Sequence, residues 1–482
     1  MPSSNICYNC VDEPFLKKEI ESKGKRRKCQ FCSATAKCYK IDELADRVEQ
    51  AFERHFCRSS DEPTPWQYAL LKDKESDYMF EREGEPVIAA IADAAVIPEE
   101  AAALIQEILA DRHYSHSAAE IGEECEFDPD SRYIATDVSD HYWREEWRKF
   151  EKILKTESRY FNQHGLKHLS EIFTGIEKLE TKDHRSIIVH AGPGSPIDLL
   201  YRARVFQSDE KLIDALKHPD LQLGTPPSWL VASGRMNAKG IAVFYGAAEE
   251  QAALAEVRPP VGSQVAIAPF QITRPIRLLD LTALKDVREQ GSIFDNSYAE
   301  RLKRAKFLQY LCEHMTKPVM PDDTDSEYLI TQAIADYLAS GFVVDLDGII
   351  YPCKQIQPTS TNVALFHKAS RIEQLLLPAG THTDVKLWDY FDDALQRTYQ
   401  VYNEVPNEAL NGSAGNDLPT EDDLWRESPK KDGDERPTTL RILADSLKVY
   451  VISSIRYDVE IFDVNRVMTE GSTSFGPDVV DF

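Results

Sequence analysis

The chain has 482 residues, 42% of them hydrophobic and 10% aromatic, enough apolar volume for more than one packed core. No run approaches the roughly eighteen consecutive apolar residues of a membrane-spanning helix. Subtracting 81 acidic from 56 basic residues leaves a formal charge of −25, whose field repels phosphate backbones and disfavours nucleic acid as a bulk partner.

The first twenty residues include Asp12, Glu13, Lys17 and Lys18 and no continuous apolar core, so neither a secretory nor a transit signal is readable and the expected compartment is the cytoplasm. Cys7, Cys10, Cys29 and Cys32 form two C-x2-C knuckles, each able to present two thiolates to one tetrahedral zinc. Four thiolates leave no open coordination position, so the expected zinc is structural, in a ribbon over residues 1–40 that is too small for a core of its own. Cys38 lies nearby without a knuckle partner. Between the knuckles, Lys23, Lys25, Arg26, Arg27 and Lys28 form the densest basic cluster, read as a solvated loop and the one segment suited to nucleic acid or an acidic partner.

From Ile41, the residues Leu44, Ala45, Val48, Ala51 and Phe52 recur at helical spacing. Pro98, Glu99 and Glu100 open an alanine-rich helix, and Trp143, Trp147, Phe150 and Leu154 make a further stripe, so residues 41 to about 170 read as all-helical. Arg159 and His164 stand in R-x4-H spacing, with Gly165 marking His164 as a helix end. After residue 185, short β-rich runs are expected at 187–190, 199–206, 241–245, 265–272, 276–281, 342–344, 348–351 and 362–366, interrupted by helices near 249–258, 297–315 and 326–339. This is a mixed α+β region without regular βαβ alternation. Residues 406–437 carry nine acids among Gly, Asn and Pro and read as a flexible linker. Beyond it, Leu447–Ile452 and Ile455–Val464 read as a β-hairpin that packs back on the preceding domain.

Strand alternation places Arg202 and Arg204 on one face, where planar guanidinium groups suit a diphosphate or, equally, a structural ion pair. The blocks Leu200–Arg204, Ser233–Gly240, Phe244–Ala247, Ala253–Pro259 and Asp347–Pro352 follow in order, and together this string resembles the RES domain, a family of NAD-degrading toxins. The resemblance implies an ADP-ribosyltransferase-like fold over residues 186–405, preceded by the zinc ribbon and a helical domain (41–180) similar to the HEPN-associated N-terminal domain. It implies Arg202, Tyr245, Glu256 and Cys353 at the catalytic positions, Cys353 standing where the family carries serine. Ser360, seven residues on, reads as too far along the chain to replace it. Arg204 and Arg235 are expected to contact substrate.

The implied reaction is loss of nicotinamide from NAD by attack of water or phosphate, with NAD depletion, growth arrest and a role in defence, under restraint by an antitoxin or immunity partner. A thiol is a weaker hydrogen-bonding group than a hydroxyl, so a second reading is a catalytically weak NAD or ADP-ribose sensor. A third is an RNA-directed protein using segment 23–28 and a HEPN-type ribonuclease pair, Arg159 and His164.

Overall fold

A computed structural model describes residues 4–73, 76–120, 122–317, 319, 323–356, 360–391, 394–406, 434–456 and 459–466. The chain opens with β1 (Asn5–Cys7), α1 (Pro14–Lys23), β2 (Lys25–Lys28) and β3 (Thr35–Lys40), with β3 central and β2 at the edge of a three-stranded sheet. The basic segment is therefore an edge strand, because Lys25–Lys28 pairs with Thr35–Cys38, and the loop expectation is corrected. α2 (Ile41–His55) buries the whole predicted stripe from Ile41 to Phe52, and the Glu43 carboxylate accepts from the Lys40 amide at its N-terminus.

β4 (Phe56–Arg58), α3 (Pro65–Lys72), β5 (Glu85–Pro86), α4 (Val87–Ala95), α5 (Glu99–His113), α6 (His116–Glu120) and β6 (Arg132–Ala135) follow. The region is mainly helical but not entirely so, since β4, β6 and β5 form a small sheet. Such strands of two to four residues carry too little alternation to be read from sequence. Ile6, Val11, Leu16 and Ile20 share one core with α2, α4 and α5, so the cysteine-bearing segment and these helices pack as one body.

α7 (His141–Thr156) and α8 (Gln163–Phe173) bury Trp143, Trp147, Phe150, Leu154, Leu169 and Phe173 in a different core, shared with the helices and sheet that follow. Those are β7 (Ile188–Ala191), β8 (Leu199–Phe206), α9 (Asp209–Lys217), α10 (Pro219–Gln222), β9 (Phe244–Ala247), α11 (Glu250–Glu256), β10 (Gln264–Ile272), β11 (Ile276–Asp280), α12 (Asn296–Thr316), α13 (Thr324–Ala339), β12 (Gly348–Pro352) and β13 (Thr361–Leu365). The predicted strand at 342–344 is absent; these residues bend between α13 and β12.

β14 (His382–Phe391) and β15 (Ala394–Glu404) form a hairpin that was not anticipated, seated by Val385, Leu387 and Tyr399 against the core under β8. Of the acidic stretch, residues 407–433 lie outside the described residues. β16 (Leu440–Ile442) and β17 (Lys448–Val451) both pair with β10, end to end along its edge. The C-terminal segment thus packs on the preceding domain as two strands on one edge, and the hairpin expectation is corrected: 455–456 and 459–464 form no strand, and 457–458 lie outside the described residues.

The main sheet runs β16–β10–β8–β9–β13–β12–β11–β7. Its central feature is a split, because β8 and β9 pair only at Tyr201↔Ala247. Beyond that pair, residues 202–206 and 242–246 diverge and leave a wedge.

Candidate active site and cysteine centre

The sulfurs of Cys7, Cys10, Cys29 and Cys32 all lie within 4.8 Å of one another. Cys7 to Cys32 is 3.5 Å, Cys7 to Cys10 3.7 Å and Cys10 to Cys29 3.8 Å. A tetrahedron with zinc–sulfur bonds of about 2.3 Å has edges of about 3.8 Å, so the four groups suit one zinc. Cys38 is outside the set: its thiol donates to the carbonyls of Arg27 and Ala36, 3.4 Å from each.

At the wedge, Arg202 Nη1 donates to the Tyr245 carbonyl at 3.3 Å, and the guanidinium lies 5.1 Å from the Phe244 ring centroid. Burial, and next the neighbouring Arg204, push its pKa down to about 10. Arg202 has no carboxylate partner among the described residues. It opens on a cavity of about 910 Å³ that also takes in Arg204, Arg371, Arg436, His367 and Asp434. Arg204 is exposed and donates to the Gln222 side chain at 3.1 Å and to its carbonyl. Asp434 is paired with Arg436 at 2.6 Å, which holds its carboxyl down at about 2.

Register arranges the opposite face of the sheet in rows. Tyr201, Ala247, Asn362 and Tyr351 are successive partners across β8, β9, β13 and β12, and Tyr245 is paired with Ala364 one step along. Glu256, at the end of α11, meets this face: Asn362 Nδ2 donates to its Oε2 at 2.8 Å, leaving Oε1 without a protein hydrogen bond among the described residues. Tyr351 has its pKa raised well above the ordinary tyrosine value by burial, then by the charge of Glu256 and by Tyr245.

The Tyr245 hydroxyl donates to Asn237 Oδ1 at 2.7 Å and accepts from the Met236 amide at 2.9 Å, so it pins the 233–240 loop; its pKa is raised by burial. A side chain on Gly234 would come within 2.9 Å of that hydroxyl, which accounts for the glycine. Arg235 is near enough for its charge to act on Tyr245 and Tyr351, but its hydrogen bonds go elsewhere. Its guanidinium donates to the carbonyls of Met315 and Lys317, 2.9 Å from each, and closes the C-terminus of α12.

Cys353 is 1% exposed, with its side chain among Ala247, Ala252, Ala253, Val265 and Ile267. Its amide donates to the Ser360 carbonyl at 2.8 Å, so Ser360 is directly opposite it. The expectation that Ser360 is out of reach is corrected, because the chain reverses and β13 returns alongside β12. Arg258 adopts a left-handed backbone (φ 44°), a costly conformation for a long side chain, and its guanidinium lies beside the Gln355 side-chain amide, whose oxygen would accept from it at 2.7 Å with the amide turned over.

His164 lies in the first turn of α8, at the N-terminal and not the C-terminal end of a helix, since Asn162 caps that helix by accepting from the Gly165 amide at 2.8 Å. His164 pairs with Glu146 at 3.5 Å.

Sequence reasoning missed Asn362 and the residues Arg371 and Arg436 of the cavity. Asn362 falls inside a run of apolar β-formers, and a polar residue there is the signal that could have marked it.

With this geometry in place, residues 179–388 match the family model for the RES domain. The chain carries a RES domain. It matches no curated protein and no solved structure at significant similarity. The RES domain match takes in Arg202, Arg204, Arg235, Tyr245, Glu256 and Cys353, and α8 ends just before it begins. No helix among the described residues is long and apolar enough to cross a membrane.

Proposed function

We propose that the RES domain cleaves the nicotinamide–ribose bond of NAD, by hydrolysis or phosphorolysis, and so depletes NAD and arrests growth, with defence as the setting. The observation that carries this reading is Arg202: an arginine without a carboxylate partner among the described residues, at the split of the sheet, opening on a cavity shared with Arg204, Arg371 and Arg436. Such a group needs an anion, and a planar guanidinium suits a diphosphate.

Nicotinamide leaves a pyridinium as a neutral base, so no acid has to protonate it, and the ribose gains oxocarbenium character. Glu256, on the other face of the sheet from the Arg202 cavity and fixed through Oε2 by Asn362, presents Oε1 to a ribose that reaches it through the split and stabilises that charge. Tyr245, with its hydroxyl committed to residues 236 and 237, offers its ring to the nicotinamide. Arg235 acts in this reading by holding the 233–240 loop against α12, and Cys353 by packing. The four N-terminal cysteines would hold a structural zinc. An antitoxin or immunity partner would act by covering the wedge.

The test is release of nicotinamide from NAD by purified protein, with and without phosphate. Glu256→Gln is expected to lower turnover by at least about 10²-fold, and Arg202→Lys to raise KM by about tenfold. NAD binding without turnover in the parent protein would instead establish a sensor.

A further inference from the structure

α11 carries two carboxylates toward one strand. At its end, Glu256 is held by Asn362; just before its start, the Glu249 Oε2 accepts from the Ser360 hydroxyl at 2.6 Å. Ser360 and Asn362 are two residues apart on the same face of the returning chain. The register carries through, since the Ala248 amide donates to the Thr361 carbonyl at 3.0 Å and the Cys353 amide to the Ser360 carbonyl at 2.8 Å. Glu249, Ser360 and Cys353 therefore form the row next to Ala247, Asn362 and Tyr351.

Anchors two residues apart on a strand are about 7 Å apart, and each carboxylate is hydrogen-bonded to its own anchor. Carboxylates that share a glycosidic carbon with a water between them are roughly 6.5–9.5 Å apart. Ser360 is 4% exposed, whereas Glu249 is exposed and keeps Oε1 without a protein hydrogen bond among the described residues. A buried hydroxyl that fixes one oxygen of an exposed carboxylate orients the other.

We propose that Glu249 is the general base that activates the nucleophilic water and that Ser360 is its positioning residue, an inference that rests on the NAD-cleaving reading above. The water oxygen bonds to the ribose C1′ while the bond from C1′ to the nicotinamide nitrogen breaks, its electron pair leaving with neutral nicotinamide. The water proton passes to Glu249 Oε1 and then to solvent, so NAD and water give ADP-ribose, nicotinamide and one proton. Water on the face opposite the leaving group inverts the configuration at C1′.

The experiment uses the full-length protein with NAD as the probe. Glu249→Gln is expected to lower kcat by about 10²–10³-fold with KM within about threefold of the parent, and Ser360→Ala to lower kcat by about tenfold with KM likewise unmoved. Azide, which needs no deprotonation, should restore nicotinamide release in Glu249→Ala and give the inverted ribosyl azide, but should not restore Glu256→Gln. Glu250→Gln, which removes the adjacent carboxylate that pairs with Lys448 and Tyr450, should turn over as the parent does. Unchanged kcat in Glu249→Gln beside an inactive Glu256→Gln would overturn this inference and leave the NAD reading standing. An azide effect absent from Glu249→Ala in protein that still binds NAD would do the same, and no turnover by the parent protein would remove both.

Discussion

Arg202 and His168 show how burial in this fold lowers a side chain's pKa, with different consequences for its charge. Arg202 remains a cation at neutral pH despite its lowered pKa, and its charge has no carboxylate to answer it among the described residues. His168 is lowered as well, but far enough to leave it neutral at neutral pH. Burial, the largest cause, among Trp143, Trp147, Phe150 and Phe307 takes its pKa down to about 4, the nearby His164 adds to the fall, and Glu146 only partly opposes it. Above pH 6.5 the imidazole is neutral whether the chain is folded or not. Between about 6.5 and 4 the unfolded chain takes up the proton first, so stability falls with pH, by roughly 3 kcal/mol at the acid end. Urea unfolding at pH 7 and pH 4.5 should show this loss in the parent and a smaller one in His168→Phe; equal losses would exclude His168 as the source.

At the scale of elements, the long amphipathic helices were legible and the short strands were not. α2 and α7 repeat their apolar stripes over three or more turns, which sets the buried face regardless of what packs on it. β4, β5 and β6 are too short to hold such a pattern, and in the hairpin β14–β15 apolar and aromatic residues fall on both the buried and the exposed face, so no single face is marked. The knuckles were legible because thiolate geometry demands that spacing. Their energetic reach was not, since only the fold shows Ile6, Val11, Leu16 and Ile20 joined to α2, α4 and α5. Metal analysis is expected to give one zinc per chain, and Cys10→Ser or a strong chelator should lower the melting temperature of the helical body with it. A melting curve indifferent to both would show that the thiols hold no structural metal.

Across the whole molecule, the two cores separate near residue 137, ahead of the helices that the sequence assigned to the N-terminal side. The junction is direct: Phe294 enters the N-terminal core, His55 stacks on Tyr298 at 6.1 Å, and Arg54 donates to Asn296 at 2.6 Å. α7 and α8 supply Trp147, Phe150 and Phe173, each fully buried in the core of the RES-domain body. Deleting one such aromatic side chain costs roughly 3–5 kcal/mol, so losing three is comparable to the whole stability of an ordinary domain. A fragment of residues 186–482 is expected to aggregate, whereas 137–482 should fold with a single cooperative melt. Cooperative folding of 186–482 would contradict this assignment of the cores.

The sequence by itself determined the cysteine centre, the helical stripes and the identity of the RES domain, because each is a matter of local spacing or of ordered blocks along the chain. Arg202, Tyr245 and Glu256 stand in those blocks, and the roles given to them are proposals. Only the tertiary structure decided that Arg235 closes α12, that Cys353 packs in an apolar cluster, that Ser360 and Asn362 hold Glu249 and Glu256, and that the sheet splits at Tyr201↔Ala247. Those facts depend on which strand lies beside which and in what register. Strand pairing between residues a hundred positions apart leaves no mark on either segment alone.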